Sequence, residues 1–129
     1  MPLVRIDVDA STSSEIRQTI SDVVYDAMTS TAKVPANDKF MIVSTHSPGD
    51  LIFPAEGYLG IQYTAGIVFI QITWNIGRTT EVKKAFYRKV ADDIHARTGI
   101  RKEDVWISLV EVSPENWSFG GGEMQYAPK

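Results

Sequence analysis

Moved forward by 66 positions, the first part of this sequence falls on its second part, and that duplication restricts the possible folds more than any other feature. Ser14-Glu15-Ile16 lands on Thr80-Glu81-Val82, Asp38 on Asp104, and Ser47-Pro48 on Ser113-Pro114. With a two-residue gap in the first turn, Val4, Ile6 and Val8 land on Val68, Ile70 and Ile72. Identities are few, but the order of apolar and polar positions is shared, as expected for one supersecondary unit used twice.

In the first copy, PLVRIDV alternates: Val4, Ile6 and Val8 share one face, Arg5 and Asp7 the other, the pattern of a half-buried strand. A helix follows, with Thr12 and Glu15 at capping-box spacing and an apolar stripe of Ile16, Ile20, Val23, Val24 and Ala27. VPANDKFMIV then reads as a turn into a second strand. In the second copy GIVFIQITW is the strand, TTEVKKAFYRKVADDIHARTG the amphipathic helix with Gly99 placed to end it, and IRKEDVWISLVEV the last strand. Each helix is long enough to cross over between parallel strands. The fold class expected is α/β (α+β): a duplicated β-α-β unit forming a four-stranded sheet with two helices packed on one face. A single domain is expected over residues 1–129. Repeat one would span about 2–48, a linker broken by Pro and Gly about 49–65, repeat two about 66–114, and an aromatic and glycine-rich C-terminal segment 115–129. Two helices cover one face of such a sheet, so self-association is expected to cover the other.

A chain of 129 residues buries roughly two-thirds of its unfolded surface, enough for a core. The net charge of −3 offers no basic excess to neutralise phosphates, so neither nucleic acid nor a membrane is expected as a partner. The absence of cysteine excludes disulfides, thiolate zinc sites and cysteine nucleophiles. The longest apolar run is interrupted by Gln71 and is too short to cross a bilayer, and the N-terminus lacks a secretion-signal profile. A cytoplasmic location is expected. No nucleophile elbow, P-loop, HExxH or zinc-ligand spacing occurs.

Candidate chemistry lies near both ends. Pro2 follows an initiator methionine of the kind usually removed before a small residue, which would expose a secondary amine. An α-amino group titrates near about 7.7–8.0, and burial or a nearby cation lowers that value. Pro2 shares its strand face with Val4, Ile6 and Val8, so a neutral amine there is a usable general base near neutral pH. The alternative is a proline that merely opens a strand where no N–H is required. Near the other end, NWSFGGGEMQY sets Trp117 and Phe119 just before three glycines, on backbone that disfavours both helix and strand. Such rings either wall a site or plug a subunit contact.

MPLVRIDV, VPANDKFMIV, PGDLIF, GRTTEVKKAFY, GIRKEDVWISLVE and NWSFGGGEMQY occur in the order seen in the tautomerase superfamily. The sequence resembles its long-chain branch, which includes malonate semialdehyde decarboxylase, and 4-oxalocrotonate tautomerase-like proteins. The resemblance implies cofactor-free, metal-free chemistry with Pro2 as catalytic base or acid, Arg78 binding a substrate carboxylate, and a homotrimer. It implies a catalytic role for Asp38 and a substrate-facing aromatic wall from Trp117 and Phe119. For Asp38 a second reading stands, since Asp104 occupies the same place in the other repeat and both suit a turn before a strand. The resemblance is incomplete. NIGRT has Ile76 where one group of decarboxylases carries a first arginine, and the first helix lacks the histidine of the dehalogenases. His46 and His95 read as structural or solvated. The expected function is enol–keto tautomerisation of small 2-oxo acids of phenylpyruvate type. Malonate semialdehyde decarboxylation or hydration with the same proline is the alternative, and a non-catalytic oligomeric binding protein a further one.

Overall fold

The computed structural model describes residues 2–127, so the expectation about Met1 lies outside the described residues. The elements are β1 (Leu3–Asp9), α1 (Ser14–Thr31), β2 (Met41–His46), β3 (Val68–Asn75), α2 (Thr80–Thr98) and β4 (Val105–Val112), with 3-10 turns at Lys102–Asp104 and Pro114–Asn116. They form one sheet in the order β2-β1-β3-β4. β1 and β2 run parallel, as do β3 and β4, while β1 and β3 meet antiparallel at the centre. The two β-α-β units foreseen from the repeat are therefore joined through their first strands.

Alternation decides which face is buried. Val4, Ile6 and Val8 of β1 and Val68, Ile70, Ile72 and Trp74 of β3 form one core with Ile20, Val23, Val24, Ala27 and Met28 of α1 and Phe86, Val90 and Ile94 of α2. Each fully buried aliphatic or aromatic side chain contributes roughly 1.5–3 kcal/mol. Trp74 and Phe86 meet at 5.4 Å between ring centres where β3 passes beneath α2. On the opposite face Ile42, Trp106 and Val110 remain about two-fifths exposed, so the helices leave that side uncovered.

The helix ends carry the repeat into detail, with one correction. The N-cap of α1 is Ser13, whose hydroxyl accepts the Ile16 N–H at 3.2 Å, and not Thr12. Thr79 caps α2 in the same way through the Val82 N–H at 3.2 Å. With the helix starting at Ser14, Glu15 falls in its first turn, where a carboxylate suits the helix dipole, and no capping box forms. Gly99 ends α2 as expected, at φ 80°, its N–H bonded to the His95 carbonyl at 2.9 Å. In the linker, Tyr58 and Ile61 exchange two backbone hydrogen bonds of 2.9 Å around a tight turn.

Asp104 fixes the linker to the start of β4. It is buried, and its carboxylate accepts the Thr64 N–H at 2.8 Å, the Thr64 hydroxyl at 2.5 Å and Arg101 Nη1 at 3.4 Å. Removing the acceptor strands the two Thr64 donors and frees Arg101, so Asp104→Ala should cost about 3 kcal/mol. Urea denaturation should show this as a lower midpoint at unchanged slope; a loss under about 0.5 kcal/mol contradicts the assignment.

Candidate active site

One end of the sheet gathers the residues singled out near both termini and in the middle of the chain. Pro2 is buried. It directly precedes Leu3, which pairs with Thr73 of β3 in the antiparallel ladder. On its other side it is level with the segment entering β2, where the Val4 N–H bonds to the Phe40 carbonyl at 3.0 Å. Pro2 thus sits between the end of β3 and the turn carrying Asp38, on the apolar face its alternation predicted.

Trp74 follows Thr73 on β3 and carries Arg78. The guanidinium carbon of Arg78 lies 4.3 Å from the centre of the Trp74 ring, a cation–π contact. Its Nε donates to the Ala32 carbonyl at 3.0 Å and its Nη1 to the Asn75 carbonyl at 3.1 Å. These bonds use two of the five guanidinium N–H donors and fix the plane of the group, leaving three outside them. The Trp74 indole N–H finds no acceptor among the described residues. That costs about 1–3 kcal/mol which a phenylalanine would not incur, so the larger ring is retained against a penalty. Arg78 directly precedes the N-cap Thr79, but its head group turns to the α1 C-terminus and the β3 end.

The electrostatics agree with this placement. Burial pushes the Arg78 pKa below the usual arginine value, while the carboxylates of Glu111 and then Asp38 oppose that shift. Asp38 therefore acts on the guanidinium through space. It is buried, in a turn closed by its own N–H on the Pro35 carbonyl at 3.0 Å. The turn is tied to α1 through the Tyr25 hydroxyl, which donates to the Ala36 carbonyl. The two aspartates matched by the repeat have diverged: Asp104 holds backbone and hydroxyl donors of the linker, whereas Asp38 lies in the field of Arg78. Glu111, opposite Trp74 in the β3–β4 register, is paired with Lys83 at 2.8 Å.

The C-terminal aromatics reach the same place. Trp117 and Phe119 stack at 5.5 Å with 19° between planes, and Tyr126 meets Phe119 edge-on at 5.2 Å. Trp117 Nε1 donates to Asn75 Oδ1 at 2.7 Å, one residue from Trp74 and three from Arg78. Gly120, Gly121 and Gly122 have φ of 135°, 71° and 72°, which explains the triplet: residues with a side chain rarely adopt this backbone. Gln125 closes the loop, accepting the Phe119 N–H and donating to the Gly120 carbonyl, both at 2.9 Å.

Asp38, Arg78 and Trp117 are thus linked at the β3 end, Phe119 stacks on Trp117, and Pro2 precedes the Leu3–Thr73 pair at that same end. The histidines lie elsewhere: His46 pairs with Asp7 at 2.6 Å on the open sheet face, and His95 Nδ1 contacts the Ile100 carbonyl at 2.9 Å. Among the described residues no cluster of three or more His, Cys, Asp or Glu could hold a metal ion. A groove of about 430 Å3 between α2 and β4, lined by Lys84, Tyr87 and Arg88, lies outside the constellation. Sequence reasoning missed Trp74, Asn75 and the Ala32 carbonyl. Alternation marks Trp74 only as core, and nothing local distinguishes Asn75 or a backbone oxygen.

Known proteins share this sequence and fold. Residues 38–120 match the family model described as tautomerase enzyme. Probable tautomerase YusQ of Bacillus subtilis (strain 168) is 35% identical over 125 residues, covering 97% of this chain and 98% of the relative. The crystal structure of FG41 malonate semialdehyde decarboxylase inhibited by 3-bromopropiolate matches at a TM-score of 0.87 with 37% identity, over 96% of this chain and 93% of the other. A second malonate semialdehyde decarboxylase, described as having decarboxylase and hydratase activities, matches at a TM-score of 0.87 with 30% identity, over 96% of this chain and 95% of the other.

Proposed function

The chain belongs to the tautomerase family, and from that membership we propose that it is a cofactor-free enzyme interconverting the enol and keto forms of small 2-oxo acids, with the amine of Pro2 as general base. The observation that carries the reading is Arg78 seated on Trp74 at the strand end that the buried Pro2 adjoins through the Leu3–Thr73 pair. In an enol such as phenylenolpyruvate, the carboxylate lies on the free N–H donors of Arg78. Neutral Pro2 takes the enol O–H proton and returns a proton to C3. One O–H bond breaks, one C–H bond forms, and the enol electron pair becomes the carbonyl. Trp117 and Phe119 exclude water and give the substrate side chain an aromatic surface. Asp38 favours the charged form of Arg78.

The test is ketonisation of phenylenolpyruvate followed by absorbance, with its pH dependence. The protonated amine cannot act as base, so kcat/KM is expected to be low in acid and to rise as pH climbs through the amine pKa. Burial and a nearby cation would both disfavour the charged form, so the rise should come below the ordinary α-amino range. A profile flat from about pH 5 to 9, or activity no better than background, contradicts the reading.

Similarity to two malonate semialdehyde decarboxylases supports a second reading, decarboxylation of a 3-oxo acid. There the C–C bond to the carboxylate breaks and the electrons pass to the carbonyl, stabilised by cationic Pro2 before carbon is protonated. Carbon dioxide release would then fall, not rise, as the amine loses its proton. The opposite pH slopes separate the two chemistries. The exposed sheet face with Ile42, Trp106 and Val110 supports self-association, and the resemblance to the family makes the assembly a homotrimer.

A further inference from the structure

We propose that Asn75 is a positioning residue that sets the spacing between the aromatic wall and the anion-binding cation. It rests on the reading that Arg78 and Trp117 line the substrate site. Asn75 ends β3, and its two polar ends serve different partners. The side-chain Oδ1 accepts the Trp117 indole N–H at 2.7 Å, and the main-chain carbonyl accepts Arg78 Nη1 at 3.1 Å. The residue is fixed from β4 as well: it pairs with Val112, whose carbonyl accepts the N–H of the next residue, Ile76, at 2.9 Å.

The need for such a tie follows from the backbone beyond Trp117. Three successive glycines at positive φ follow the aromatic pair, and the loop's own closure through Gln125 joins Phe119 to Gly120 without touching the sheet. The Trp117–Asn75 bond is the polar link between that loop and the strand carrying Trp74. Without it the Trp117 ring keeps its stack on Phe119, but the pair is free to turn as a unit away from Arg78. Substrate binding should suffer more than the chemical step, because Pro2 is held by β1 and its neighbours independently of the C-terminal loop.

A double-mutant cycle on phenylenolpyruvate ketonisation tests this. Asn75→Leu removes the acceptor at similar volume, and Trp117→Phe removes the donor while leaving a ring. Each should raise KM, Asn75→Leu by about tenfold, with kcat changed less than threefold or so. The double variant should be no worse than the poorer single one, since both delete the same bond. Trp117→Phe keeps the strand intact and so reads the bond even if Asn75→Leu does not fold. The indole N–H signal of Trp117 should move in the NMR spectrum of Asn75→Leu, and phenylpyruvate titrated against it gives binding without turnover. Additive losses, or a KM unchanged in either single variant, overturn the proposal. Wild-type protein that binds phenylpyruvate at this signal but converts no enol removes the catalytic reading, and a weakened affinity in Asn75→Leu then still supports Asn75 as the residue holding the wall. Wild-type protein that neither binds nor converts overturns both.

Discussion

Replacing Pro2 by Ala should lower kcat/KM for enol ketonisation at least about a hundredfold, the lower end of what a positioned general base contributes. A hundredfold corresponds to about 2.7 kcal/mol of transition-state stabilisation. The fold should not suffer: the ladder begins at Leu3, the Val4 N–H keeps its bond to the Phe40 carbonyl, and Pro2 donates nothing. A second variant separates the amine from the ring. An N-terminal tag that leaves residue 2 acylated should abolish activity, and proteolysis that frees the Pro2 nitrogen should restore it. Activity that ignores both changes would show that the Pro2 amine is not the base.

Arg78→Ala should raise KM about a hundredfold or more, since two hydrogen bonds to a charged carboxylate are each worth about 1.5–3 kcal/mol. It should also cost stability. The same guanidinium bonds to the Ala32 carbonyl at the C-terminus of α1, covers Trp74 and bonds to the Asn75 carbonyl, so about 1–2 kcal/mol of folding free energy should go with it. Arg78→Lys keeps the charge but not the planar fork, and a KM about tenfold above wild type is expected. Urea titration of each variant separates the effects. A KM unchanged in folded Arg78→Ala would show that the substrate carboxylate is held elsewhere.

Much of this site is visible residue by residue and invisible as an assembly. Arg78 follows a strand with a buried alternation, so its place between β3 and α2 was legible, but the carbonyls that orient it were not. A backbone acceptor has no letter. Ala32 becomes a partner because α1 ends beside β3, a consequence of both helices packing on one face. Asp38 and Asp104 are equivalent in the repeat, and their divergence depends on what each meets in space: Thr64 of the linker for Asp104, the field of Arg78 for Asp38. The Thr12 capping box failed for a smaller reason, since Ser13 and Thr12 compete for one cap and the start of the helix decides between them.

Periodicity and punctuation were enough to determine the strand–helix–strand repeat, the buried faces of β1, α1, β3 and α2, and the glycine stop at Gly99, because these depend on neighbours within a few residues. The resemblance in Pro2, Asp38, Arg78 and the C-terminal aromatics named the participants. Their meeting needed the antiparallel pairing of β1 with β3, which brings the start of β1 to the end of β3, and the return of the chain after β4, which brings Trp117 to Asn75. Both are contacts between residues far apart in the chain. Their energies come from burial and hydrogen-bond geometry in the closed fold, and local patterns carry no record of either.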